Sequence, residues 1–242
     1  MTRKRADVVL VERGFFTSRA RAQEAIAAGL VTVNGAVVRK PSDAVADDAV
    51  ITAVQPHPYV SRGGVKLAAA LDAFGIDPMG CVCLDVGAST GGFTEVLLMR
   101  GAAHVYAVDV GHSQLHPKVA GDPRVTSLEG TDARSLDEDL IPQPVDLLVS
   151  DVSFISLKLV LPAAVARLKP RARLAVLVKP QFEAGRDHVK KGIVRDEAVH
   201  RAVCDDIRAF VASLGFTVDG IVPSPIEGGD GNREFLLGAH RD

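Results

Sequence analysis

The sequence predicts an α/β protein: a doubly wound, mostly parallel sheet preceded by a small α+β module. Three observations predict it. From about residue 80, short apolar runs alternate with helical patterns, as parallel strands joined by helices require. Pro56-His57-Pro58-Tyr59 interrupts the chain with a stiff stretch that disfavours helix. Before that break, Asn34-Gly35 stands between two apolar runs as a hairpin turn. A chain of 242 residues has room for this division. It reads as a module over 1–60, a linker at about 56–64 and a main domain over 65–242.

Within the module, Val8, Val9, Leu10 and Val11 belong to a short helix that stops near Gly14. Ser18 suits the cap of a second helix, because its hydroxyl accepts a free N–H of the first turn. Ala22, Ala25 and Ile26 give that helix an apolar stripe, and Gly29 suits the left-handed position past its end. Residues 30–33 read as a strand, and Val37-Val38 start its return. In the main domain a helix starts at 67–71. Strands follow at 81–86, 104–109, 145–151 and 174–179, with a third-strand region before Gly130. Helices are expected at 93–100, 156–168 and 197–214. Closing strands are expected at 216–222 and 234–238.

Hydrophobic residues make up 47% and charged residues 24%, which excludes a disordered chain. Three cysteines cannot build a disulfide framework, so a reducing, cytoplasmic setting is expected. The sequence has no apolar run of about 18 residues, so no membrane span is expected. The basic start is not followed by the apolar stretch of a secretory signal. Eight Lys or Arg against three acids give the first 40 residues a net charge of +5. That leaves −7 on the rest of a chain whose total is −2. A basic head on an acidic body points to an anionic partner, nucleic acid first.

Ligands of doubly wound sheets lie at the carboxyl ends of the strands. Asp85, Asp109, Asp151 and Lys179 end four of them. The turn Asp85-Val86-Gly87-Ala88-Ser89-Thr90-Gly91-Gly92-Phe93 lets backbone approach a ligand closely, and the helix after it offers free N–H groups. Its spacing is not the G-x-G-x-x-G dinucleotide fingerprint, which disfavours a nucleotide-dependent oxidoreductase. Asp109, followed by Val110, suits a ribose diol. Asp132 and Ala133 suit an adenine edge. A nucleoside ligand without a diphosphate follows, with S-adenosylmethionine the obvious member of that class. His112 and His116 lack a partner with zinc-like spacing, so no metal is expected.

Two resemblances sharpen this reading. Arg5, Asp7, Leu10, Gly14, Ser18-Arg19, Ala22, Ile26, Gly29, Val31 and Val33-Asn34-Gly35 resemble the S4 RNA-binding domain. That implies a basic helix face docked on structured RNA, with Arg3, Lys4, Arg5, Ser18, Arg19, Arg21, Asn34, Lys40 and Arg62 as candidate contacts. The glycine-rich turn with Thr94-Glu95 after it, Ser150-Asp151-Val152-Ser153-Phe154-Ile155-Ser156, Val178-Lys179-Pro180-Gln181-Phe182-Glu183 and Gly231-Asn232-Arg233-Glu234-Phe235 resemble the TlyA family. Its members are ribosomal RNA 2′-O-methyltransferases, often labelled hemolysins, which join an S4 domain to an FtsJ-like, Rossmann-like class I methyltransferase domain. The resemblance implies S-adenosylmethionine as cofactor and cytidine targets in 23S ribosomal RNA, and in some members 16S ribosomal RNA also, within assembled ribosomal subunits. It also implies that loss of the mark lowers sensitivity to capreomycin. A Lys-Asp-Lys-Glu tetrad falls on Lys66, Asp151, Lys179 and Glu234. Tyr59 stands where the family pattern has tryptophan.

The tetrad suits the chemistry. A ribose 2′-hydroxyl is a poor nucleophile until its proton leaves, and a neutral lysine amine can take it. Lys179 is the expected base, with Lys66 and Asp151 orienting it and Glu234 holding Lys66 or the ribose. The leaving thioether is neutral and needs no metal. Two alternatives are a non-catalytic RNA-binding ribosome factor and a membrane-active hemolysin.

Overall fold

The computed structural model describes residues 3–228 and 231–242. The chain divides into a smaller unit that ends at Pro58 and a larger one that starts at Tyr59.

The smaller unit runs β1 (Arg3–Arg5), α1 (Ala6–Glu12), α2 (Arg19–Ala27), β2 (Val31–Val33), β3 (Ala36–Val37), β4 (Ala44–Ala46) and β5 (Ile51–Ala53). Ser18 caps α2, its hydroxyl accepting from the Arg21 N–H. The stripe Ala22, Ala25 and Ile26 is buried against Val9, Leu10, Phe16 and Val31. Asn34 and Gly35 both adopt left-handed φ, +50° and +81°, as the two-residue turn between β2 and β3 demands. β2 also pairs with β5, and β1 pairs with β4. Strands β1, β4 and β5 were not expected from the sequence.

The basic head has a buried anchor. Asp7 is fully buried at the start of α1. Its carboxylate accepts two bonds from Arg5, two from Arg19 and one from Gln23, all between 2.7 and 3.2 Å. The Arg5 bonds, opposed by burial and aided by Gln23 and Arg19, hold its carboxyl well below the usual range. The anchor therefore stabilises the fold above about pH 4 and weakens as the acid is protonated. Asp7→Ala is expected to cost the smaller unit on the order of 2 kcal/mol at pH 7, and the loss should shrink towards pH 3 in denaturant titrations.

In the larger unit, residues 59–62 precede α3 (Gly63–Phe74), so Gly63 and Gly64, read as linker in the sequence, open a helix. The order continues β6 (Val82–Val86), α4 (Gly92–Met99), β7 (His104–Asp109), α5 (Pro117–Ala120), β8 (Val125–Glu129) and β9 (Val145–Ser150). Then come α6 (Leu157–Val165), β10 (Leu168–Val178), α7 (Pro180–Glu183), α8 (Glu197–Ser213), β11 (Thr217–Pro223) and β12 (Phe235–Arg241). One expected helix is corrected here. The pattern over 156–168 carried α6 through Leu168, but the helix ends at Val165 and Leu168 opens β10. Its side chain is buried in the core in either role, so apolar spacing did not reveal the break.

Seven strands form one sheet in the order β11-β12-β10-β9-β6-β7-β8. β6 to β10 are mutually parallel, and β12 runs antiparallel to both its neighbours, β10 and β11. One apolar cluster joins the sheet to α6 and α8, and another joins it to α3 and α4. The sheet is doubly wound, as expected. Strand order reverses between β6 and β9, where such folds open a ligand crevice.

Candidate functional site

A cavity of about 370 Å³ opens at that crevice, within the size range of small-molecule sites. Gly87, Ser89, Asp109, Val110, Asp132 and Ala133 line it, all singled out in the sequence. Gly87 has φ +86°, and a Cβ there would stand 3.1 Å from the backbone of Asp151. No side chain fits between the turn and β9's end. Each Asp109 oxygen accepts one backbone N–H at 2.8 Å, from Gly111 and Ser89. Its remaining lone pairs stay available to a diol. Asp132 is half-buried and held by the Arg134 side chain, which lowers its carboxyl to about 2.

Asp85, Ala88, Thr90, Gly91, Gly92 and Phe93 build the turn and the start of α4 rather than the cavity wall. Asp85 is fully buried and accepts from the Thr94 hydroxyl at 2.6 Å. Burial raises its carboxyl from 3.8 to about 7, against the Thr94 bond. The folded state therefore binds this proton more tightly than the unfolded chain, and stability falls as pH rises from about 4 to 7. Asp85→Asn should flatten this part of the pH profile of Tm in calorimetry.

The tetrad positions form two ion pairs. Lys66 Nζ meets Glu234 Oε2 at 2.5 Å, and Lys179 Nζ meets Asp151 Oδ1 at 2.6 Å. Lys66, Lys179 and Glu234 are buried, while Asp151 is partly open and lines the cavity. A Cβ built on Gly63 would lie 3.8 Å from Asp151 Oδ2, so the start of α3, one turn before Lys66, stands beside the second pair. Gln181 Nε2 donates to Glu234 Oε1 at 3.3 Å, joining α7 to the first pair.

Three further residues, quoted in the sequence only as motif positions, had no role assigned there. Ser153 Oγ accepts from Lys179 Nζ at 3.0 Å. Glu183 accepts from the Ser156 hydroxyl and the Leu157 N–H, and so pins the start of α6. Between these anchors stands Phe154, 91% exposed at the cavity rim, with a left-handed φ of +64°. The left-handed backbone under an exposed aromatic ring makes Phe154 a candidate functional residue. Its ring lies 5.1 Å from that of Phe182.

Several candidate RNA contacts already have structural partners. Arg5 and Arg19 hold Asp7, Lys4 pairs with Glu12, and Asn34 Oδ1 accepts from the Val50 N–H. Arg21 reaches Gln55 and the His57 carbonyl. Arg3, Lys40 and Arg62 are exposed. Among the described residues, no cluster of three His, Cys, Asp or Glu could hold a metal ion, and no helix is long and apolar enough to cross a membrane.

Residues 59–241 match the FtsJ-like methyltransferase family, and residues 4–51 match the S4 domain. The 16S/23S rRNA (cytidine-2′-O)-methyltransferase TlyA of Mycobacterium tuberculosis is 47% identical over 238 residues, 97% of this chain and 89% of that protein. The chain belongs to the TlyA branch of the FtsJ-like methyltransferases. Hemolysin A of Brachyspira hyodysenteriae, 41% identical over 96% of this chain and 98% of its own length, is a relative under another name. A solved structure from Streptococcus thermophilus, also named as a hemolysin, superposes with a TM-score of 0.79 at 42% identity. It covers 100% of this chain and 89% of its own. The two matches account for the order of the modules.

Proposed function

We propose that this chain transfers a methyl group from S-adenosylmethionine to the ribose 2′-hydroxyl of a cytidine in ribosomal RNA. The observation that carries the reading is the pair of buried lysine–carboxylate contacts beside the crevice cavity. The cavity's residues fit the methyl donor. Asp109 keeps acceptor capacity for a ribose diol, Gly87 leaves room for close backbone approach, and Ala133 and Ile155 offer apolar walls to an adenine. When bound, S-adenosylmethionine supplies an electrophilic methyl group whose sulfur leaves as a neutral thioether.

The chain's own residues prepare the hydroxyl. Lys179 in its amine form accepts the 2′-hydroxyl proton on Nζ. The resulting ammonium is the form that Asp151 and Ser153 hold. Lys66, kept in place by Glu234, brings positive charge towards the oxygen as it becomes anionic. Phe154 offers a face on which a nucleotide base can stack, and Phe182 backs it. The smaller unit docks the RNA through phosphate contacts from Arg3, Lys40 and the Asp7-anchored Arg5 and Arg19, with Arg62 serving from the larger unit. The target ribosomes make the site of action cytoplasmic.

The test is methyl transfer from labelled S-adenosylmethionine to purified 30S and 50S subunits that lack the mark. Label in the RNA of at least one subunit supports the reading. Cofactor binding without transfer to either subunit refutes ribosomal RNA as substrate. Absence of cofactor binding favours the non-catalytic RNA-binding alternative.

A further inference from the structure

We propose that Gln181 reads the base of the target nucleotide and selects cytosine over uracil. The inference rests on the reaction proposed above. Gln181 lies in α7, two residues after Lys179. Its Nε2 donates to Glu234 Oε1. A carboxylate facing this amide takes the donor end, so the contact settles which end of the side chain is which. The other end, Oε1, is a buried acceptor with no hydrogen-bond partner among the described residues. A buried acceptor is costly to leave unmatched, and such atoms mark places where something else completes the bond.

What would complete it follows from the surroundings. Gln181 lines a groove of about 590 Å³ together with Phe154, Ile155, Leu159, Phe182 and Arg186. Phe154 and Ile155 also line the crevice cavity, so the two spaces meet at the Phe154 loop. Lys179 anchors that loop through Ser153. A nucleotide whose 2′-hydroxyl approaches Lys179 from the groove side brings its base among these aromatic and aliphatic walls. Arg186 is exposed at the groove's edge, so the buried group left unmatched among these walls is an acceptor, Gln181 Oε1. Cytosine presents the N4 amine, a donor, where uracil presents O4, an acceptor. Gln181 Oε1 satisfies the first and opposes the second. Glu234 thus has a double use: it holds Lys66, and it orients the amide that reads the base.

The experiment compares native enzyme with Gln181→Met, a near-isosteric change that removes the amide, and Gln181→Glu, which keeps an acceptor. The modified position is first mapped with native enzyme. Subunits carrying cytidine or uridine there are then methylated by the full chain, and kcat/KM is measured for both. Native enzyme should prefer cytidine by roughly tenfold or more. Gln181→Met should bring the ratio close to one, and its rate on cytidine should also fall because Glu234 loses a donor. Gln181→Glu should keep the preference at a reduced rate. A merely structural role for Gln181 would lower both rates together and leave the ratio alone. An unchanged ratio in Gln181→Met, a lost preference in Gln181→Glu, or an indifferent native enzyme overturns the proposal. No transfer by native enzyme to either RNA defeats the reaction itself, a result distinct from loss of selectivity.

Discussion

Lys179→Arg is expected to lose methyl transfer by roughly 10²–10⁴-fold while binding S-adenosylmethionine as the native chain does. The substitution separates two roles that alanine would remove together. Arginine keeps the positive charge and can still meet Asp151 and Ser153, the partners of Lys179. It cannot give up its proton in a protein, so it cannot serve as a base. If Lys179 only contributed charge to the site, arginine would work nearly as well. Single-turnover transfer and calorimetric cofactor titration on the same preparation decide between the roles. An arginine variant within a few-fold of native rate would end the assignment of Lys179 as base.

The second large effect concerns stability. Lys66 and Glu234 are 5% and 4% exposed, and their charges meet at 2.5 Å. Lys66→Met strands the Glu234 carboxylate in the interior with Gln181 as its remaining side-chain partner among the described residues. Breaking a buried pair from one side costs about 3–5 kcal/mol. Replacing both members by apolar side chains is often close to neutral, because both desolvation penalties disappear. The double variant Lys66→Met, Glu234→Met should therefore recover most of the stability in denaturant titrations and none of the methyl transfer. A single variant as stable as the native chain would mean the pair is solvated. A double variant that regains transfer would show the pair to be scaffolding.

These effects rest on features of uneven legibility in the sequence. Ser18, the Asn34-Gly35 turn and the charged strand ends Asp85, Asp109, Asp151 and Lys179 were readable because each needs a particular residue type at a particular place. The tetrad came from motif resemblance, but its division into Lys66–Glu234 and Lys179–Asp151 depends on α3 packing beside β9 and β12, which spacing does not encode. Phe154 and Gln181 were read only as motif positions, with no role of their own. A phenylalanine in a loop reads as ordinary, and only the fold leaves it at the cavity rim with a left-handed backbone. Arg5 and Arg19 read only as candidate RNA contacts, because the burial of Asp7 beneath them is a property of the assembled unit. β1 escaped notice because three consecutive basic residues show no alternation, and β4 and β5 because three residues are too few to show a period.

The central claim is that the methyl group lands on a ribose oxygen. Alkaline hydrolysis of the labelled RNA tests it most directly, because cleavage needs a free 2′-hydroxyl. The account predicts that label made by the native enzyme is recovered in an alkali-resistant dinucleotide with cytidine on its 5′ side, and that the Lys179→Arg sample yields none. Label released in a mononucleotide would place the methyl group on a base. It would contradict both the proposed reaction and the role given to the two ion pairs.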